Sequence, residues 1–332
     1  MIDHPLYLSD SPDMDIDPVS DILRLANVKA LLTGGFTAGG RWAIGFPAKD
    51  KIKFFAVVKG CCWVGLEGDS GMTRFEAGDV GLLAVPRSFV LASDPDVDPV
   101  DAMSLFSGAA RTTATIGAGD EFEHIGGHVE FDPASGRLLA DVLPPWIHIR
   151  ASSPQAMNFR WLLERLVDER AAGLPGTQLA SAQLTQLLFI QILRAHLETG
   201  EVMPAGWLRA AGDPHLAAAL RLMHGDPARP WNLNELASAA AMSRTTFADR
   251  FRQIAGVAPL TYLTEWRMRL AERALREQSA PVAEVARSIG YGSESAFSNA
   301  FKRVTGRSPK AYRNAARTPG LQARHPSVIS AR

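Results

Sequence analysis

Apolar and polar positions follow different periods along this chain. From Lys51 to Glu67 they alternate over much of the length, Gly68 to Gly71 and Gly78-Asp79 punctuate, and Val80 to Val85 is a short apolar run closed by Pro86. A period of two with frequent turn residues predicts short strands from about Asp21 to Arg150, and their spacing favours a small β-barrel. Then the period changes. Asn158 to Ala172 carries Phe159, Leu162, Leu163, Leu166 and Val167, and Thr177 to Glu198 carries Leu179, Leu184, Leu187, Leu188, Ile190, Ile192 and Leu193. Spacings of three and four predict two amphipathic helices, and Gly173 to Gly176 breaks them into a hairpin.

The last third is helical again, and it repeats. Phe247, Phe251, Gly256, Pro259 and Tyr262 recur 50 positions later as Phe297, Phe301, Gly306, Pro309 and Tyr312. Glu235, Leu236 and Ala237 recur 49 positions later as Glu284, Val285 and Ala286, with the extra residue, Gly292, in a turn. Each copy reads as two short helices around a tight turn, a duplicated helix-turn-helix. Ser243 and Ser293 stand where an N-cap begins the second helix of each copy. Gly256 and Gly306 stand where a left-handed cap ends it. Phe247, Phe251 and Ile254 point inward in the first copy, and Phe297, Phe301 and Val304 in the second, which leaves the polar faces outside.

Pro259 opens the segment between the copies, and no Gly or Pro follows until Pro281. A helix of about twenty residues is predicted there, roughly 30 Å long. Successive major grooves on one face of B-DNA lie roughly 34 Å apart. The spacing suits two outer helices in adjacent grooves.

The residues from Met242 to Gln253, followed by Gly256 to Pro259 and Tyr262 to Met268, resemble the first motif of the AraC-type transcription regulators. Those from Ile289 to Arg303, followed by Gly306 to Arg313, resemble the second. The resemblance spans about Asp213 to Asn314 and implies a sequence-specific DNA-binding regulator, commonly an activator that contacts RNA polymerase. Carried over by position, it places base-reading and backbone-contacting residues at Ser243, Arg244, Thr245, Thr246, Ala248, Asp249, Arg250 and Arg252. In the second copy these fall at Ser293, Glu294, Ser295, Ser298, Asn299, Lys302 and Arg303. Asp249 and Asn299 stand where many relatives have arginine. A carboxylate can accept from a cytosine amine but repels phosphate, and an asparagine can pair bidentately with adenine.

Charge separates the same halves. The whole chain is neutral, with 35 basic and 35 acidic residues, yet from Asp213 onward there are 18 Lys plus Arg against 9 Asp plus Glu. The C-terminal part is therefore +9 and the remainder −9. A basic helical module attracts the phosphate backbone with salt-dependent affinity.

In the strand-rich part, Gly60 to Trp63, Phe75 to Val80, Val85 to Leu91, Gly127 to Asp132 and Leu143 to Ile149 resemble the cupin-type sensor domain that many AraC-type proteins carry. Catalytic cupins hold a metal with histidines and a glutamate on two neighbouring strand motifs. Here those stretches contain Cys61, Cys62 and Trp63, and Arg87, Ser88 and Phe89, so the set is missing. His124, His128 and Glu130 are the residual metal candidates, and neither a metal nor another cofactor is expected. The alternative function is a cupin-like metal enzyme with an accessory helical domain, or an adaptor that does not bind DNA. Cys61, Cys62 and Trp63 are instead candidate effector or redox residues. Adjacent cysteines on a strand face opposite sides, so a disulfide between them would be strained while one thiol stays open to oxidation.

The expected organisation is α+β: a flexible N-terminus over 1–20, a cupin-like β-barrel sensor over 21–150, and a helical hairpin over 151–200, read as a homodimer contact. A linker over 201–212, an all-α domain with two helix-turn-helix motifs over 213–316, and a disordered tail over 317–332 complete it. No apolar run approaches the roughly twenty residues of a membrane span, and the aspartate-rich N-terminus does not read as a secretion signal. A bacterial cytoplasmic location, nucleoid-associated when bound to DNA, follows from that reading. The expected partners are double-stranded DNA and an unidentified small-molecule effector.

Overall fold

The computed structural model describes residues 16–49, 51–106, 113–132, 139, 141–199, 203–277 and 279–317. The tail and most of the expected flexible N-terminus lie outside these. The chain forms two compact units: residues 26–204, and a second made of residues 205–332 together with the first 25.

Among the described residues the first unit is built on eleven strands in two sheets. β1 (Lys29–Ala38), β3 (Ile52–Lys59), β6 (Val80–Leu83), β9 (Thr113–Ile116), β10 (Phe122–Glu130) and β11 (Trp146–Ile149) make a sheet of order β11-β6-β3-β10-β1-β9. β2 (Ala43–Phe46), β4 (Cys61–Leu66), β5 (Met72–Glu76), β7 (Phe89–Ala92) and β8 (Val100–Asp101) make the other, of order β5-β4-β7-β2-β8. The expected barrel is thus two facing sheets around one apolar core. Phe36, Phe55, Val57 and Phe122 enter it from the first sheet, and Ile44, Val64, Phe75 and Leu91 from the second.

A short helix α2 (Ala102–Leu105) follows β8, and the hairpin of α3 (Ala156–Ala172) and α4 (Thr177–Thr199) closes the unit. Gly173 ends α3 in the left-handed conformation at φ 58°, where a side chain would be strained. The hairpin lies over β1 and β3, and the amide of Ala30 donates to Gln186 Oε1 at 2.9 Å. That cover explains why β3 departs from alternation. Phe55 and Val57 enter the inter-sheet core while Ile52, Phe54 and Ala56, on the opposite face, are buried as well. Not all of the apolar stripe is used: Leu188, Ile192 and Leu193 are buried, whereas Leu179, Leu187 and Trp161 are exposed.

The second unit is helical: α1 (Pro18–Leu25), α5 (Trp207–Gly212), α6 (Ala217–Gly225), α7 (Leu233–Ala239), α8 (Arg244–Ala255), α9 (Pro259–Glu277), α10 (Val282–Ser288), α11 (Glu294–Thr305) and α12 (Pro309–Arg317). Two expected boundaries move. Residues 207–212, expected within the linker, form a helix because Trp207 and Leu208 are large apolar side chains that find burial there. The segment from Pro18 to Leu25, expected to be partly flexible and partly sensor, is a helix that buries Ile22, Leu23 and Leu25 and packs on α5, α6 and α9. Asp17 begins α1 by accepting from the Val19 amide at 3.0 Å and from the Ser20 hydroxyl at 2.6 Å.

Candidate nucleic-acid interface and sandwich cavity

The duplication read from the sequence is a duplication of packing. Phe247 and Phe251 lie 5.7 Å apart between ring centroids, and Phe251 meets Tyr262 at 5.7 Å; the equivalent pairs Phe297–Phe301 and Phe301–Tyr312 both lie at 5.5 Å. All four phenylalanines are fully buried. In the turns, the amide of Met242 donates to Ala237 O and that of Tyr291 to Ala286 O, each at 2.9 Å. The left-handed residue of the turn is Ala241 in one copy and Gly290 in the other, with φ of 52° and 86°.

The outer helices α8 and α11 begin alike. Ser243 Oγ accepts from the Thr246 amide and Ser293 Oγ from the Ala296 amide, both at 3.2 Å, which satisfies one orphan donor in each first turn. Gly256 and Gly306 end them in the left-handed conformation. α9 between the copies has 19 residues, roughly 28 Å of helix.

This packing sorts the candidate contact residues. Arg244, Thr245, Asp249 and Arg252 are exposed on α8, with Ala248 half-buried. Glu294, Ser295, Asn299, Lys302 and Arg303 are exposed on α11, with Ser298 half-buried. Four hydroxyls among them are engaged locally: Ser243 and Ser293 as caps, Thr246 Oγ1 at 2.8 Å from Ser243 Oγ, and Ser295 Oγ at 3.2 Å from Ser293 Oγ. Arg250 turns back into its own unit, where Nη2 lies 2.7 Å from Asp213 Oδ2. Burial opposes ionisation of Asp213, but bonds from Arg250 and from the amides of Leu216 and His215 outweigh it and hold the carboxyl below the ordinary range.

The other candidate region lies between the sheets. Cross-strand partners share a face, and β10 pairs with β3 through His124↔Val57, Gly126↔Phe55 and His128↔Lys53. Val57 and Phe55 point into the inter-sheet core, so His124, Gly126, His128 and Lys53 line the same inner face. The missing side chain at Gly126 leaves room beside the His124 ring: a Cβ there would stand 3.0 Å from His124 Cε1. A cavity of about 350 Å³ opens at this place.

Cys61, Cys62 and Trp63 lie on β4 and are not among the residues lining that cavity. The two cysteines do face opposite sides. Cys61 is exposed, 3.7 Å from Arg74 Nη2, while Cys62 is part of the core and burial pushes its thiol up to about 12. Of the residual metal candidates, His128 Nε2 and Glu130 Oε1 lie 3.1 Å apart and share Lys51, whereas His124 is buried among Phe36, Phe46 and Phe55. Among the described residues no group of three or more His, Cys, Asp or Glu side chains is placed to hold a metal ion. No helix among them is long and apolar enough to cross a membrane. Lys53 was not legible as part of a site, because alone it reads as a polar position of an alternating strand.

A twin set of capped helices on a basic unit, joined in one chain to a sandwich with an internal cavity, defines a signal-responsive DNA-binding protein. Family models agree: one described as a cupin matches residues 17–198, and one described as a helix-turn-helix domain matches residues 236–315. An AraC-like transcription regulator of Streptomyces antibioticus is 43% identical over 298 residues, covering 90% of this chain and 98% of the relative. The transcriptional regulator AlkR of Acinetobacter baylyi is 30% identical over 82% of this chain and 91% of its own length. Among solved structures, the DNA-binding domain of AdpA, a global transcriptional factor, in complex with a target DNA is 37% identical, with a TM-score of 0.30, over 32% of this chain and 94% of that one. The chain belongs to the AraC-like transcription regulators.

Proposed function

We propose that this regulator grips double-stranded DNA with α8 and α11 in two successive major grooves, and that a small molecule held between its β-sheets sets how much of the population is competent to do so. The observation that carries the reading is the pair of equivalently capped and packed outer helices whose polar faces are left exposed. Thr245, Ala248 and Asp249 in the first helix and Glu294, Ser295, Ser298 and Asn299 in the second are the base readers. Arg244, Arg252, Lys302 and Arg303 neutralise phosphates, which positions the module without reading sequence. Arg250 serves the first helix through Asp213. Ser243 and Ser293 set the helix starts, with Thr246 Oγ1 beside Ser243, and the first-turn amides they do not cap stay open to phosphate.

The protein works in the bacterial cytoplasm, on the nucleoid, and its usual outcome is activation through contact with RNA polymerase. It acts as a homodimer through the α3–α4 hairpin, where Leu179 and Leu187 sit two turns apart on one side of α4 and Trp161 is exposed on α3. Coupling between the cavity and DNA is a population shift, limited by the differential affinity of the effector for the two states.

Selection of bound genomic fragments followed by footprinting tests the reading. The expected protection covers two adjacent major-groove faces per protomer and weakens steeply with salt. Absence of any protected site at low ionic strength, with and without cell extract as a source of effector, sinks it. Sedimentation equilibrium should give twice the chain mass, and Trp161→Glu should shift it towards the monomer.

A further inference from the structure

The cavity between the sheets has a charge character that nothing above explains. Lys49, Lys51 and Lys53 line it, and no Asp or Glu does among the described residues. Lys51 is already answered at the rim by Glu130, 3.1 Å away. Lys53 is not: its Nζ donates to the carbonyl of Pro47 at 2.7 Å and stands 5.0 Å from the centroid of the Phe89 ring. A neutral carbonyl and a ring face leave a half-buried ammonium without a counter-charge among the described residues. Burial, with Lys49 adding to it, lowers Lys53 to about 8.

His124 gives a second, independent observation. It is 6% exposed and lines the same cavity, yet neither ring nitrogen has a hydrogen-bond partner among the described residues. Burial lowers it to about 3, so the ring is neutral and presents one donor and one acceptor. Buried polar atoms without a partner are few in folded proteins, and each one needs a reason. Apart from Thr33 and His128, the remaining walls carry no polar side chain, with Phe46 and Phe89 stacked at 4.7 Å and Phe55 and Phe89 at 5.7 Å.

We infer that this cavity binds a compact organic monocarboxylate, whose anionic end takes the place of the missing counter-charge beside Lys53, whose body lies against the phenylalanines, and which hydrogen-bonds His124. A volume of about 350 Å³ admits a small metabolite and lies at the lower end of the usual range for ligand sites. The inference rests on the reading of the sandwich as the effector domain and names the chemistry of what it takes.

The test uses the full chain and isothermal titration with 3-phenylpropionate and octanoate, each compared with its neutral amide. At least one acid is expected to bind more tightly than its amide. Lys53→Met should weaken the acid by at least about tenfold, the scale of a hydrogen bond to a charged group, and leave the amide nearly unchanged, whereas Lys53→Arg should retain the acid. His124→Leu should weaken acid and amide together, and it supplies the reading if Lys53→Met does not fold by thermal denaturation. Equal affinity for acid and amide, or no binding of either acid by about 1 mM, overturns the inference. Binding of the same preparations to DNA at low salt is measured alongside. If DNA is bound and no acid is, only this inference fails; if DNA is not bound, the regulator reading fails whatever the acids do.

Discussion

Asp21 and His224, 203 residues apart in the chain, meet at 3.3 Å between Oδ2 and Nδ1. A carboxylate can only accept, so Nδ1 carries the proton, and Nε2, 2.8 Å from the hydroxyl of Tyr262, accepts the phenol hydrogen. The ring also stacks on Trp266 at 4.1 Å. One imidazole thus joins the N-terminal helix α1 to the long helix between the two reading units.

This junction has a defined pH sense. Burial lowers His224 from its ordinary 6.5, although Asp21 and the more distant Asp17 oppose it. The unfolded chain therefore takes up the proton first, so stability is complete above about pH 6.5 and falls as the pH drops below it. Hydrogen exchange of α6 and α9 between pH 7.5 and 5 should show opening that accelerates on acidification, with a flatter response in His224→Phe. An acid response equally steep in that variant would refute the assignment. Asp21→Ala should cost about 1–2 kcal/mol at neutral pH by leaving a buried donor unpaired.

The two left-handed turn residues should respond in opposite directions. At Gly290 a Cβ would stand 2.1 Å from the carbonyl of Ala228, so Gly290→Ala adds a backbone clash to a strained φ and should cost about 2 kcal/mol or more. Ala241 already bears the strain. Ala241→Gly should relieve it and, after the added freedom of the unfolded chain, stabilise by about 0.5 kcal/mol. Urea denaturation of the two variants checks both signs.

On DNA, the exposed positions should divide by role. Arg252→Ala and Lys302→Ala should weaken binding to every sequence and each reduce the salt slope by about one. Asn299→Ala should change preference at one base pair by about 1–3 kcal/mol. Uniform loss across sequences for Asn299→Ala would mean that the reading face of α11 is misplaced. Arg250→Ala should resemble a stability variant more than a phosphate variant, since its guanidinium is held by Asp213.

The cysteines should differ in chemistry. With its thiol held near 12 by burial, Cys62 should resist iodoacetamide at pH 8 in the folded chain, and exposed Cys61 should take the single label seen by mass spectrometry. Two labels on folded protein would show that the core around Cys62 opens readily. A reporter that keeps its full oxidant response in the Cys61→Ser, Cys62→Ser double variant would remove the redox reading.

Much of the second unit was legible because its signals are local. The serine caps, the glycine stops and the paired phenylalanines fix each helix from residues within a few positions. What was not legible depends on distant partners. Nothing near Pro18 to Leu25 says that Ile22 and Leu25 will find their burial on helices two hundred residues away. Trp207 and Leu208 sit between glycines that read as a linker. Lys53 is one polar position in an alternating stretch, and only its pairing with His128, 75 residues on, on the face shared with Phe55 and Val57 shows that it lies inside. The hairpin predicted from apolar spacing is present, but which of its leucines stay exposed follows from how it lies on β1.

The bond between Arg250 and Asp213 has no counterpart in the second copy, where the position 50 residues on is Ala300. Duplication has made two grips alike in their cores and unlike in their moorings. Asp213 ends α5, and through it α8 is tied to the start of this unit. The first outer helix is thus tied to the residue that closes α5, and the second lacks that tie at the equivalent position.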